Sequence, residues 1–380
     1  MIARNSYLLI RNILLWLILR HRKVAPQDLT IKSILAIRID RVGDLVLSTP
    51  AIKALREYFP KAKIYVLVKK GNETLLKGSR FVDSVIVYNN FFDTLKLLHK
   101  YQFDLAIDLL MDYPIKPTFL AYFSRAKLRA GFSVIGKKRL FDISVKPGTT
   151  KKHISEYMLD LAGSIIKFCL GKNVDFSQFE PEIFINGEDE KEMKRFLQEK
   201  GILEEDLLVG IHPGGYYPAQ RWPIENFSQL ADRLIKELKV RIVIVGSFQE
   251  KRLVDKMISL MNHKSAIKAV GFSLDRLAAL ISLMDVFTCN NSGPLHIAAA
   301  VNIPTVSTMG PTDQVLWWPR GKNHIVIRQN LFCSPCNRGI CKNHNCMELI
   351  AVDDVVGAVK KQLESSVGKA KSEKYIPRRD

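Results

Sequence analysis

The chain predicts an α/β protein of two parallel-sheet domains, and three observations carry that expectation. Short apolar runs at 34–39, 64–68, 85–87 and 105–108 alternate with helical patterns at about 44–58, 71–78 and 92–100. A second series puts strands at 207–211, 240–245, 286–288 and 305–307, with helices at about 225–238, 248–261, 274–283 and 293–300. Between them, residues 172–189 are polar, lack periodicity and contain Pro181 and Gly187, so they read as a linker. Near-continuous apolar runs are what strands covered on both faces show. Ligands of such sheets bind beyond the carboxyl ends of the strands, so two of them should form a cleft there.

The segments in order are an N-terminal helix over 1–30, a first domain over 31–175, a linker over 176–190, a second domain over 191–363 and a basic tail over 364–380. A helical pattern at 352–363 closes the second domain, and the sequence shows no internal repeat. The first segment carries YLLIRNILLWLIL at 7–19, followed by Arg20, His21, Arg22 and Lys23. Thirteen helical residues reach about 20 Å, short of the roughly 30 Å hydrocarbon core of a bilayer. Arg11 and Asn12 interrupt the run, and no small-x-small cleavage pattern follows. The segment reads as a helix on a membrane surface, with a helix packed on the protein itself as the alternative.

Three loops carry the chemistry. After the first strand, Gly43-Asp44 opens a helix; a carboxylate there is an ordinary cap or a base. At 212–215 a strand ends in His-Pro-Gly-Gly, and Gln220-Arg221-Trp222-Pro223 leads into the next helix. At 286–300, VFTCNNSGPLHIAAA joins a strand, a glycine turn and a free helix N-terminus. Such a terminus offers unpaired amides to a phosphate; the plain alternative is a tight turn. Ser292 or Asn291 is the expected cap, and Pro294 suits the first turn.

Charge and cysteines narrow the partners. Lys+Arg number 57 against 38 Asp+Glu, a formal net charge of +19, which favours a polyanion. No zinc-finger, RNP or basic-zipper pattern accompanies the charge, so nucleic acid is not the expected partner. Cys333, Cys336, Cys341 and Cys346 form C-x2-C-x4-C-x4-C, with His344 between the last two. This is a candidate structural zinc site, with reduced thiols as the alternative; two disulfides would fit only an oxidising compartment.

RVGDLVLSTPAIKAL, HPGGYYPAQRWP, NNSGPLHIAAA and MGPTDQVLWWP together resemble glycosyltransferase family 9, the heptosyltransferase-like enzymes, over roughly residues 32–350. The resemblance implies the GT-B architecture, two facing Rossmann-like domains. It implies inversion at the anomeric carbon with no cofactor and no catalytic metal. It also implies transfer of a sugar, in particular heptose from ADP-heptose, onto lipopolysaccharide core or a lipid-linked glycan. The partners would be a nucleotide-sugar donor, an anionic glycolipid acceptor and the cytoplasmic face of the inner membrane.

Residue by residue, Asp44 matches the general base, and Arg38 and Arg41 stand where they could orient it or meet acceptor phosphate. Gly214 and Gly215 would let the backbone approach the donor diphosphate. Ser292 and Gly293 would add helix-end amides, and His296 matches a helix histidine. Glu250 matches an acid that holds the ribose, and Phe272 falls where the chain passes the nucleobase. Two positions depart from the pattern: Gln220 where lysine is common, and Asn291 where aspartate is common. One positive and one negative charge are lost together, and Arg221 is the candidate replacement cation. A catalytically weak or inactive glycan- or nucleotide-sugar-binding relative is therefore the alternative function. A nicotinamide oxidoreductase is disfavoured, because IRIDRVGD lacks the G-x-G-x-x-G turn.

Overall fold

The computed structural model describes residues 30–111, 115–134 and 137–370, with side chains as far as 365. The expectations for the helix at 7–19 and for the end of the tail lie outside the described residues. The chain divides into two compact units, one ending at Pro181 and the other beginning at Glu182.

The first unit runs β1 (Ser33–Arg38), α1 (Val42–Val46), α2 (Thr49–Tyr58), β2 (Lys63–Lys69), β3 (Ser84–Tyr88), α3 (Phe91–Leu98), β4 (Leu105–Asp108), α4 (Lys116–Phe123), β5 (Leu128–Phe132), β6 (Ile143–Val145) and α5 (Ile154–Leu170). Its six strands are parallel in the order β3-β2-β1-β4-β5-β6. One side of the sheet packs Leu35, Ile37, Leu67, Ile86 and Ala106 against Leu98 of α3 and Leu120 and Ala121 of α4.

The second unit runs α6 (Gly187–Glu199), β7 (Leu208–His212), α7 (Ile224–Leu238), β8 (Arg241–Gly246), α8 (Lys251–Leu260), β9 (Ile267–Val270), α9 (Leu274–Ser282), β10 (Val286–Asn290), α10 (Gly293–Ala300), β11 (Thr305–Thr308), α11 (Gln314–Trp317), β12 (His324–Ile327), α12 (Asn345–Glu348) and α13 (Val352–Ala370). Its strand order, β12-β11-β10-β7-β8-β9, is the same topology as the first unit. Each sheet reverses direction between its first and fourth strands, β1 and β4 in one, β7 and β10 in the other. That switch point opens a crevice at the carboxyl ends of those strands.

Several expectations need correction. The helix at 44–58 is two helices, because Pro50 lacks an amide and starts α2, so the chain breaks at Leu47-Ser48. The pattern at 71–78 is only a 3-10 turn, Glu73–Leu76. The linker expected to 190 gives way at Gly187 to α6, where Asn186 accepts a capping bond from the Glu188 amide. The last helix does not stop at 363. It runs on through Glu364, Val367 and Lys369 to Ala370 with no proline to break it, so 364–370 are helical. Among the described residues no helix is long and apolar enough to cross a membrane.

Candidate active site

In the first unit the site lies at the switch point. Asp44 sits in α1, just past the end of β1, and is 9% exposed. Arg38, the last residue of β1, is 3% exposed and reaches around the turn. Its Nη2 lies 3.1 Å from Asp44 Oδ1, its Nε donates to the Asp44 carbonyl at 3.2 Å, and Asp40 Oδ1 lies 3.2 Å from the same Nε. Its Nη1 donates to the carbonyl of Leu109, just beyond β4. Arg38 is thus committed within the protein. Its bonds hold it against the Asp44 carboxylate and main chain. Arg41 is exposed at the N-terminus of α1. Ser48 Oγ donates to the Asp44 carbonyl at 2.8 Å, so both main chain and side chain of Asp44 are fixed.

In the second unit one residue that the sequence reading passed over organises the loops. Asn290, fully buried at the end of β10, donates from Nδ2 to the carbonyls of Pro213 and Gly214, both at 2.9 Å. Its Oδ1 accepts from the Trp222 amide at 2.8 Å and from Thr308 Oγ1 at 2.9 Å. One amide therefore clamps the 212–215 turn, the 220–223 loop and the end of β11, with every donor and acceptor position in use. Trp222, 1% exposed, adds a bond from Nε1 to the Ile350 carbonyl at 3.0 Å.

Around that clamp stand the expected donor residues. Ser292 is the N-cap of α10, but its hydroxyl makes no cap bond; it lies 3.3 Å from His212 Nδ1. Pro294 has no N–H and the Leu295 amide donates to the Ser292 carbonyl at 3.1 Å, so among the first three residues of α10 the Gly293 amide is the one to face a ligand. The other imidazole nitrogen of His212 lies 3.4 Å from Glu250 Oε2, which also accepts from Ser247 N at 2.9 Å and Ser247 Oγ at 2.7 Å. Burial pushes the Glu250 carboxyl up, but the His212 hydrogen bond and charge and the two Ser247 bonds outweigh it and bring the group down to about 2. Ser292, His212 and Glu250 thus form a line joining the helix end to the turn after β8. His212 was not a candidate from the sequence, where it read as a strand end; its place in the switch-point crevice was the available signal.

The two turn glycines differ. A Cβ on Gly214 would fall 1.9 Å from Glu250 Oε1, whereas one on Gly215 would meet only Arg221 Cγ at 3.5 Å. Arg221 donates from Nε to the Gly215 carbonyl at 2.8 Å, and Gln220 donates from Nε2 to Thr312 Oγ1 at 3.1 Å. Asn291 is 8% exposed, its amide bonded to the Thr308 carbonyl at 3.1 Å. No bond among the described residues joins Gln220 to Asn291, so the exchanged pair is not a direct contact. His296, 4% exposed, faces the Trp317 ring at 6.5 Å between centroids. Phe272 is half-buried and packs edge-on against Phe196 at 5.2 Å. The exposed aromatic near that turn is Phe248, which lies beside Gly271.

The cysteine loop is a scaffold for this site. Cys336 and Asn337 donate their amides to the Pro311 carbonyl, Ala219 donates to the Gly339 carbonyl, and His344 Nε2 lies 2.7 Å from the Ala219 carbonyl. Among the described residues no group of three or more His, Cys, Asp or Glu is arranged to hold a metal ion. Cys346 is buried under Gly310 whereas Cys333 and Cys336 are exposed, and all are free thiols. Burial raises the Cys346 thiol, with smaller contributions from Cys336, Cys333 and Cys341.

Two Rossmann-like units, one presenting a fixed carboxylate and the other a clamped glycine turn beside a helix N-terminus, define a nucleotide-sugar glycosyltransferase. The comparisons agree. The model of glycosyltransferase family 9 (heptosyltransferase) matches residues 92–347, more than half of the chain, and the chain belongs to that family. It is similar to lipooligosaccharide heptosyltransferase 2 of Haemophilus ducreyi, 28% identical over 306 residues, covering 76% of this chain and 86% of that protein. It is also similar to lipopolysaccharide heptosyltransferase 3 of Escherichia coli, 26% identical over 344 residues, covering 84% and 95%. Among solved structures, the family 9 glycosyltransferase of Veillonella parvula superposes with a TM-score of 0.77 at 21% identity, covering 90% of this chain and 99% of that one. The ADP-heptose lipopolysaccharide heptosyltransferase II of E. coli does so at 0.74 and 22%, covering 88% and 99%. The fold is therefore that of the GT-B heptosyltransferases.

Proposed function

We propose that this enzyme transfers heptose from ADP-heptose to a lipopolysaccharide-core acceptor, inverting the anomeric centre without a catalytic metal. The observation that carries the reading is the Arg38–Asp44 contact, which keeps a buried carboxylate aimed beside the switch point. Asp44 takes the proton of the acceptor hydroxyl as its oxygen attacks the anomeric carbon. The bond from that carbon to the donor phosphate oxygen breaks, and ADP leaves with the added negative charge. The Gly293 amide at the start of α10, the outer N–H groups of Arg221 and the Gln220 side-chain amide are the groups that answer that charge. Arg221 takes the part of the missing lysine, and amide donors suffice beside a neutral Asn291. The relatives whose names specify lipopolysaccharide or lipooligosaccharide heptosyltransfer support the acceptor. The net charge of +19 suits an anionic glycolipid at a membrane surface.

The test is release of ADP from ADP-heptose by the purified protein. It is expected only when a core acceptor is added, to persist in EDTA, and to be abolished in Asp44→Ala. Loss to chelator with recovery on Mg²⁺ would overturn the metal-free reading. Full activity in Asp44→Ala would remove the base.

A further inference from the structure

That mechanism leaves two buried charges unused. Asp108, the last residue of β4, and Lys137 are 0% and 1% exposed in their side chains, with Nζ 3.5 Å from Oδ2. Removing two charges from water usually costs more than their attraction returns, and apolar residues of similar volume commonly do as well. An ion pair kept at this depth calls for a reason other than stability.

Its neighbours supply one. β4 pairs with β1 in the register Ile37↔Asp108, so Asp108 lies beside the residue that precedes Arg38. Asp108 Oδ1 accepts from the Leu110 amide at 3.0 Å, and Oδ2 accepts from Thr118 Oγ1 at 2.6 Å. Those bonds fix the turn that follows β4. The Leu109 amide donates to the Ile37 carbonyl at 3.2 Å, and the Leu109 carbonyl is the acceptor for Arg38 Nη1. The same guanidinium holds Asp44 through Nη2 and Nε. Two carboxylates, Asp40 and Asp44, lie on Arg38, and Lys137 is a second buried cation, set against Asp108.

We propose that Asp108 is a positioning residue for Asp44, acting through the Leu109 carbonyl and Arg38, with Lys137 as its buried counter-charge. Asp108 pins the turn, the turn presents the carbonyl, the carbonyl fixes one arm of Arg38, and the other arm aims the Asp44 carboxylate. The inference rests on the reading of Asp44 as the base.

Two double variants separate this role from plain packing. Asp108→Asn/Lys137→Met removes both charges but keeps an oxygen to accept from the Leu110 amide and an Nδ2 to donate to the Thr118 hydroxyl. Asp108→Leu/Lys137→Met removes the charges and the acceptor. Each is assayed with ADP-heptose and a soluble core oligosaccharide, beside Asp44→Ala and a thermal melt. The expected result is that the asparagine form keeps most of kcat. The leucine form should lose about 10- to 100-fold in kcat with both KM values unchanged, the scale of loss that misplacement of a reacting group produces. The acid limb of its kcat profile should also move to higher pH, because Asp44 has lost part of its hold on Arg38. Should the leucine form not fold, Asp108→Ala/Lys137→Met takes its place with the same expectation. Equal kcat in the two double variants, with Asp44→Ala inactive, would make the pair merely structural and overturn the inference alone. Wild-type turnover in Asp44→Ala would remove the base reading and this inference with it.

Discussion

Gly214 and Glu250 occupy one another's space: a Cβ on Gly214 would stand 1.9 Å from Glu250 Oε1 and 2.8 Å from His212 Nε2. The glycine is there to let a carboxylate lie flat against the turn, and through it the turn after β7 and the turn after β8 become one surface. Gly214→Ala should therefore expel the Glu250 carboxylate from His212. We predict a loss of stability of about 1–3 kcal/mol, the usual cost of overpacking, and a raised donor KM. Gly215→Ala meets only Arg221 Cγ at 3.5 Å and should leave stability unchanged. Melting temperature and donor titration of the two variants check this, and equal effects would refute the contrast.

The same carboxylate makes stability depend on acid. Glu250 stands at about 2 in the folded protein against an ordinary value of 4.5. A folded-state value below the unfolded one contributes stability that is fully present above about pH 4.5 and lost as pH falls towards 2. Glu250→Gln should thus be less stable than wild type at neutral pH, with the gap closing as the solution is acidified through that window. Melting curves from pH 7 to about pH 3 measure it. A gap that stays constant would show that the carboxyl is not held low by His212 and Ser247.

Asn290 offers the sharpest test of the donor-side scaffold. Alanine there would strip partners from the Pro213 and Gly214 carbonyls, the Trp222 amide and the Thr308 hydroxyl at once. Each buried group left unpaired costs about 1–3 kcal/mol, with relaxation and water entry reducing the sum. We expect Asn290→Ala to lose at least about 3 kcal/mol. Asn290→Asp should fare no better, because it puts an oxygen where Nδ2 now donates to two carbonyls. Denaturant unfolding of the two variants decides the matter; an aspartate form as stable as wild type would mean the clamp is dispensable.

What could be read from the sequence follows from the physics of each element. Strands β1, β4, β7 and β10 are near-continuous apolar runs, and they were legible because burial on both faces leaves little choice of residue. Strands β5, β6, β9 and β12 are edge or near-edge strands of 3–5 residues with mixed polarity, such as LRAGF and HIVI, and they gave no pattern to find. The helices α4 and α5 were missed: KPTFLAYF begins on a proline and has no marked polar face, and α5 is apolar around much of its surface. At the site, Asp44, Gly214, Ser292 and Glu250 stand in turns whose glycine or cap residues announce them. Asn290, His212, Asp108 and Lys137 act by reaching residues 10 to 80 positions away, and a partner at that separation leaves no local mark.

Phe248 is the exposed aromatic at the end of β8, at 75% exposure, and it lies against Gly271, whose φ of +85° turns the chain back after β9. Phe272, the residue singled out by resemblance, is instead engaged with Phe196. We predict that Phe248→Ala weakens ADP binding by about 1–3 kcal/mol, the range for an aromatic ring that stacks on a base, while Phe272→Ala acts mainly on stability. Calorimetry with ADP separates the two. Unchanged affinity in Phe248→Ala would return its ring to the role of a bare surface residue.

The last prediction concerns the segment before β1. The apolar tract at 7–19 followed by Arg20, His21, Arg22 and Lys23 combines large aliphatic side chains with a cationic cluster. Full removal of one such side chain from water is worth about 1.5–3 kcal/mol, and each cation near anionic lipid adds roughly 1 kcal/mol. Partial insertion and the ordering of the segment reduce both, yet the sum favours attachment to an acidic surface, where an anionic glycolipid acceptor would be anchored. We therefore expect a chain starting at Thr30 to fold and to act on a detached acceptor as the full chain does. It should bind vesicles containing acidic phospholipid far more weakly, and raised salt should release the full chain as well. Cosedimentation with such vesicles measures both effects. Equal binding by the two chains would place the membrane affinity elsewhere on the basic surface and leave the segment without that role.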